Sequence, residues 1–151
     1  MRPKLEWAES WLKSHKSLYL GGEWVKGQTL YESENPYTQK AIAQLTDASE
    51  SEVDQAVQCA RKALKGLWAT VSRRERAEIL RKLGQLVRKN QEELATLESL
   101  DNGKTFEEAL YGDLPDSADI FDYYAGWTDK YYAENCPVEA GFVNYTVHEP
   151  I

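Results

Sequence analysis

One apolar row constrains this chain more than any other feature. Ile79, Leu80, Leu83, Leu86, Val87, Leu94, Leu97 and Leu100 recur at helical spacing behind Ser72 and Glu75, a pair that reads as a capping box opening a helix. Gly103 follows where a left-handed cap is wanted. Unbroken, a helix over 72–100 spans about 43 Å at ~1.5 Å per residue, longer than a small domain is wide. Such a helix is expected to lie along a body larger than the rest of the chain.

Other segments carry local signals of the same kind. Trp7, Trp11 and Leu12 predict a short amphipathic helix over 5–16. Gly21-Gly22 admits positive φ at both turn positions and predicts a tight hairpin within 18–25. Extended pieces are expected at 29–34 and 41–46, joined by the Asn35-Pro36-Tyr37-Thr38 turn, because proline pushes Asn35 out of the helical region. Ser49 with Glu52 opens a helix whose stripe of Val53, Ala56, Val57, Ala60, Leu64, Leu67 and Trp68 is expected to face a core. Thr105 with Glu108 makes a third box, and Pro115 predicts a break near 112–115. Ile120, Phe121, Tyr124, Trp127 and Thr128 form the expected buried face of the restarted helix. Val143, Tyr145 and Val147 alternate with polar residues as in a half-buried strand, and a lone strand requires a partner. The expectation is that this partner lies in sequence beyond Ile151.

The chain has 151 residues, with 18 basic and 25 acidic side chains and a net charge of -7. No Lys/Arg run could neutralise a stretch of phosphates, so nucleic acid and anionic membrane are not expected partners. The opening Met1-Arg2-Pro3-Lys4-Leu5-Glu6 has no apolar signal core, and no stretch of 18 apolar residues occurs. Cys59 and Cys136 are too few for a disulfide framework or a Cys-rich zinc site. A cytoplasmic protein is expected.

Candidate chemistry is sparse. Cys59 sits in the apolar stripe of its helix and reads as packed, while Cys136 lies before a proline with no immediately flanking Lys, Arg or His to activate its thiol. His15 and His148 read as solvated. Asp113, Asp116, Asp119 and Asp122 recur every third residue without His or Cys nearby, a pattern of a wet face rather than of metal ligands. Gly21-Gly22 falls in a hairpin, so no Gly-rich phosphate loop is present. The residues alone offer no catalytic group and no cofactor cradle.

Several pieces in collinear order resemble the NAD(P)-dependent aldehyde dehydrogenase superfamily: Leu20 to Trp24, Asn35-Pro36, Val53 to Val57, Leu97 to Lys104, Tyr123 to Lys130 and Tyr145 to Pro150. The Asp101-Asn102-Gly103-Lys104 run and the Tyr123-Tyr124-Ala125-Gly126-Trp127 block are most similar to the branch that oxidises acetaldehyde and retinal. The resemblance implies an α/β protein, here its helix-rich N-terminal portion. Residues 1–135 would be the outer part of the NAD(P)-binding domain and 138–151 the start of a β oligomerisation arm, with the catalytic domain absent. The implied reaction is attack of a cysteine thiolate on an aldehyde, hydride transfer to NAD or NADP, and hydrolysis of the thioester with a glutamate as base. None of those residues is carried by this chain, so a chain inactive alone is expected. A structural K+ or Na+ near Ser33, Glu34 and Asp101 is also implied, the alternative being that Asp101 merely helps end its helix and loop; neither ion nor dinucleotide is expected to bind this chain tightly by itself, and a homo-oligomer joined through the C-terminal strand is implied. The competing readings are a non-catalytic assembly or regulatory module that docks on full-length subunits, and an unrelated helical interaction protein.

Overall fold

The computed structural model describes residues 1–14, 17–27 and 29–149. Helix α1 (Leu5–Ser14) precedes two hairpins, β1 (Leu18–Leu20) with β2 (Glu23–Val25) and β3 (Thr29–Asn35) with β4 (Lys40–Asp47). Each hairpin is its own two-stranded antiparallel sheet. Gly21 and Gly22 take φ values of 61° and 97°, so the first turn uses the conformational freedom expected of it. In the second, the Asn35 side-chain oxygen accepts from the Tyr37 and Thr38 N–H groups at 2.9 and 3.2 Å. That Asx turn buries Asn35 and closes the hairpin.

Helices make up the remainder. Helix α2 (Glu50–Lys65) begins at Ser49, whose N–H donates to the Glu52 carboxylate at 2.8 Å, and a short α3 (Leu67–Thr70) follows Gly66. The expected single helix over 72–100 is two: α4 (Arg73–Lys89) and α5 (Gln91–Asn102), interrupted at Asn90 with φ -105° and ψ 24°. Asn90 caps both ends there. Its N–H and side-chain amide both donate to the Leu86 carbonyl, while its own carbonyl accepts from Leu94. The apolar row is thus divided between two helices, and its α4 members Ile79, Leu83 and Leu86 are exposed while Ala77 and Gly84 are buried.

After α6 (Phe106–Glu108), the break expected near 112–115 takes the form of a π-helical turn, Ala109–Asp113, that leads directly into α7 (Leu114–Trp127). Pro115 lies in the first turn of α7, where its missing N–H is tolerated. A wide turn absorbs the proline without stopping the helix.

Among the described residues the buried apolar side chains are alanines together with Phe106 and Leu110. Ala95, Phe106, Ala109 and Leu110 form its centre, with Leu114 packed against them. Helices α4 and α7 make the most extensive contact, and Gly84 is the reason they approach closely: a Cβ at Gly84 would lie 3.0 Å from the Ala118 carbonyl oxygen. Arg88 ties the same pair through Asp119 at 2.5 Å and Asp122 at 2.8 Å.

Three expected faces are not covered. The α2 stripe contains no buried residue, and Val53 and Leu67 are 52% and 87% exposed. On α7 the buried positions are Ala118 and Ala125, whereas Ile120, Tyr124 and Trp127 are exposed. Residues 142–149 do not form a strand. Tyr145 makes an isolated bridge to Asn135, and the Thr146 N–H donates to the Glu134 carbonyl at 2.9 Å, so the segment folds back on residues just before it. Phe142, Val143, Tyr145 and Val147 remain exposed.

Candidate functional site

A cleft of about 540 Å³ opens where α1, the β3–β4 hairpin, α5 and the start of α7 meet, and it gathers most of the paired polar side chains near the core. Trp11, Leu12, Ile42, Leu94, Leu97 and Leu114 give it apolar walls; Ser33, Glu98, Asp101, Lys104 and Asp113 give it a polar rim.

Hairpin geometry presents Ser33. The register of β3 against β4 shifts between Ser33 and Glu34, with Ser33 opposite Ala43 and Glu34 opposite Ala41, leaving Ile42 as the extra residue of a bulge. Ser33 donates from Oγ to Asp101 Oδ1 at 2.6 Å, a contact between residues 68 apart in sequence. Glu34, the next residue, is exposed. Two of the three positions singled out for a cation are therefore in direct contact.

Asp101 is held by the way α5 ends. Gly103 takes φ 86°, the left-handed cap expected of it, and its N–H donates to the Ser99 carbonyl at 3.1 Å. Ser99 Oγ donates to the Lys104 carbonyl at 2.8 Å. No side chain would fit at Gly103, because a Cβ there would come within 2.7 Å of Pro36 Cγ. The hairpin turn and the helix cap therefore interlock, and this close approach sets the distance between Ser33 and Asp101.

Lys104 is the rim's cationic centre. Its Nζ meets Asp113 Oδ2 at 2.7 Å and Glu98 Oε1 at 3.1 Å, joining the cap loop to the π turn and to α5. Hydrogen bonding to Asp113, and secondarily to Glu98, raises the Lys104 pKa above its ordinary value. The rim carries Glu98, Asp101 and Asp113 against this one ammonium, so it favours a cation over an anion. Elsewhere on α5, the Lys4 N–H donates to Thr96 Oγ1 at 2.9 Å, Lys4 Nζ pairs with Glu92 at 3.2 Å, and Gln91 donates from its side chain to the Leu110 carbonyl.

Sequence reasoning missed Glu98, Lys104 and Asp113 as a unit. The Asp row is not simply a wet face, since Asp113 pairs with Lys104 while Asp119 and Asp122 pair with Arg88. Lys104, nine residues before Asp113, is a signal the sequence offers, whereas the pairing with Arg88 depends on how α4 packs on α7. Among the described residues no group of three or more His, Cys, Asp or Glu side chains could hold a metal ion.

The remaining candidates stay apart from the cleft. Cys59 is half-buried, and its Sγ would lie 3.0 Å from a Cβ at Gly21, so it packs beneath the first hairpin. Cys136 is exposed. His148 packs at a tilt of 42° against Tyr131 with ring centroids 4.3 Å apart, and His15 lies outside the described residues. Among the described residues, no base or nucleophile is arranged beside Cys59, Cys136 or His148. Gly21-Gly22 joins two strands rather than a strand and a helix, so these residues do not fit a dinucleotide by themselves. No helix among the described residues is long and apolar enough to cross a membrane.

Comparison with known proteins places this mixed arrangement of hairpins, helices and an interlocked cap loop within a larger fold. A family model described as the aldehyde dehydrogenase family matches residues 24–151, and the chain belongs to that family. An aldehyde dehydrogenase of Aspergillus niger is 40% identical over 136 residues, covering 89% of this chain and 27% of its own length. Retinal dehydrogenase 2 of Homo sapiens is 36% identical over 141 residues, covering 91% and 27%. A Bacillus cereus aldehyde dehydrogenase solved as an NAD+ complex superposes with a TM-score of 0.88 at 37% identity, covering 99% of this chain and 30% of that one. The chain spans less than a third of the length of these relatives. The family and the helix-rich N-terminal fold that the collinear motifs implied are those of this chain.

Proposed function

We propose that residues 1–151 form the outer N-terminal part of an enzyme that oxidises an aldehyde to a carboxylic acid with NAD or NADP. The observation that carries this reading is the superposition of 99% of the chain on an aldehyde dehydrogenase solved with NAD+. Residues 1–135 would flank the cofactor domain and 138–151 would begin the arm that joins subunits into a homo-oligomer in the cytoplasm. Exposure of Phe142, Val143, Tyr145 and Val147 supports the arm, since such a row is suited to burial against another surface. The chain's own residues contribute shape and the cleft rim; the dinucleotide and the reacting groups belong to the rest of the enzyme, and residues 1–151 alone are inactive.

At the rim, Ser33, Glu34 and Asp101 would hold a structural K+ or Na+. A hydroxyl, carboxylates and the carbonyls at a bulge are all hard oxygen donors, which suits such an ion rather than a thiophilic metal. The ion would lock the Ser33–Asp101 contact.

Grafting residues 1–149 in place of the matching segment of the Bacillus cereus enzyme tests both statements. Aldehyde-dependent formation of reduced nicotinamide is expected from the chimera and not from the 151-residue chain alone. A folded but inert chimera, or turnover by the short chain, would overturn the reading. The chimera should also melt at higher temperature in potassium or sodium chloride than in choline chloride. Asp101→Asn should abolish that difference, and a difference that survives the substitution would exclude this ion site.

A further inference from the structure

Asn102-Gly103 is the one Asn–Gly step in the chain. Where the backbone is free, this dipeptide converts readily, because glycine has no side chain to shield its amide nitrogen. The Gly103 nitrogen bonds to Asn102 Cγ, the Cγ–Nδ2 bond breaks, and ammonia leaves carrying the proton of that amide. Water then opens the cyclic imide at either carbonyl, giving aspartate or its isoaspartyl isomer. The carboxamide of Asn102 is exposed, so water and the leaving group both have access.

The fold opposes the first of these steps. Asn102 is the last residue of α5, and its helical backbone turns the following nitrogen away from its own side chain. That nitrogen is also engaged, with its hydrogen directed at the Ser99 carbonyl 3.1 Å away. Ring closure therefore requires the last turn of α5 to open and Asn102 to become extended. Four contacts resist the opening: Ser33 to Asp101 at 2.6 Å, Ser99 to the Lys104 carbonyl at 2.8 Å, Lys104 to Asp113 at 2.7 Å, and Gly103 against Pro36. We infer that Asn102 is a latent deamidation site, held unreactive by the left-handed cap at Gly103 and released when the terminal turn of α5 opens.

Conversion would alter the cleft. An added carboxylate stands beside Asp101 at the negative end of a helix, an unfavourable place for it. The isoaspartyl product adds one main-chain carbon, which the close fit of Gly103 on Pro36 does not accommodate. Each product therefore weakens the turn that had restrained Asn102.

The test incubates the 151-residue chain at mildly alkaline pH in buffer and in concentrated urea, then follows residues 97–108 by peptide mapping for the mass gain of amide-to-acid conversion and for isoaspartate. Conversion should be at least about tenfold slower in buffer, the change given by an opening free energy of ~1.4 kcal/mol. Ser33→Ala should convert faster than the wild type in buffer while matching it in urea, and Asn102→Gln should remove the signal. Helical circular dichroism at the start verifies that each sample in buffer is folded, and Lys104→Met replaces Ser33→Ala if the latter is not. Equal wild-type rates in the two solvents, no conversion in urea, or a folded variant that converts no faster than wild type would each overturn the inference.

Discussion

Replacing Gly103 with alanine tests the interlock between the hairpin turn and the α5 cap. At φ 86° and ψ 2° the residue is left-handed, a conformation that costs an L-residue ~1–2 kcal/mol. The new Cβ would come within 2.7 Å of Pro36 Cγ, and the rigid pyrrolidine ring can yield only by moving the turn, an overpacking cost of ~1–3 kcal/mol. Against these stands a gain of ~0.4–1 kcal/mol from a less flexible unfolded chain. The net expectation is a loss of about 3 kcal/mol, combining the midpoints of these three ranges. In a Pro36→Ala background the ring carbon is gone, so Gly103→Ala should cost only ~1 kcal/mol, leaving a coupling of about 2 kcal/mol. Urea unfolding followed by tryptophan fluorescence on the four proteins of the cycle measures it. A cost below ~1 kcal/mol in the wild-type background, or equal costs in both backgrounds, would refute the reasoning.

The other expectations concern charge, capping and exposed surface. Ser72→Ala should destabilise by ~1 kcal/mol through loss of the α4 cap, read from the urea midpoint. The Glu75 carboxyl, held below its ordinary range first by the Ser72 hydroxyl and then by the Ser72 N–H, should titrate closer to that range in the same variant by carboxyl NMR. A lowered carboxyl pKa stabilises the fold above the unfolded value and loses that contribution as pH falls through the folded value, so the wild type should lose this cap in acid. Asp113→Asn should bring the raised Lys104 pKa down, as read from the Cε resonance. With the sign reversed for a cation, the Lys104 contribution is complete at neutral pH and fades as pH climbs past the raised value. Finally, Val57→Glu on the uncovered α2 stripe should reduce light scattering of the isolated chain while changing stability by less than ~0.5 kcal/mol; a loss of helical signal would contradict this.

Features with purely local chemistry were legible. Ser49 and Ser72 opened their helices, Gly21-Gly22 made its turn and Gly103 its cap, because each depends on neighbours within four residues. Faces were less legible. Periodicity locates the apolar stripe of α2 but says nothing of what covers it, and among the described residues nothing buries it. The interruption at Asn90 had a trace in the row itself, which skips from Val87 to Leu94 across Arg88, Lys89, Asn90, Gln91, Glu92 and Glu93, a polar gap that admits a cap. The Ser33–Asp101 contact joins residues 68 apart and no spacing rule reaches that far; the resemblance to a family pointed there. Lys104 escaped notice because its role depends on the π turn bringing Asp113 round to it.

That π turn has a bearing on which length changes the chain can tolerate. A π turn accommodates one residue more than the α-helical path between the same two ends. Removing one residue from Ala109–Asp113 would let ordinary helix resume through the segment while the faces of α6 and α7 keep their relative phase. Removing one from the middle of α4 would instead rotate everything beyond it by about 100°, the angle of one residue in a helix of 3.6 per turn, and carry Gly84 or Arg88 off α7. The wide turn behaves as an insertion already absorbed, and shortening there would keep α7 in phase with α4 at the expense of the Lys104–Asp113 pair that the turn makes.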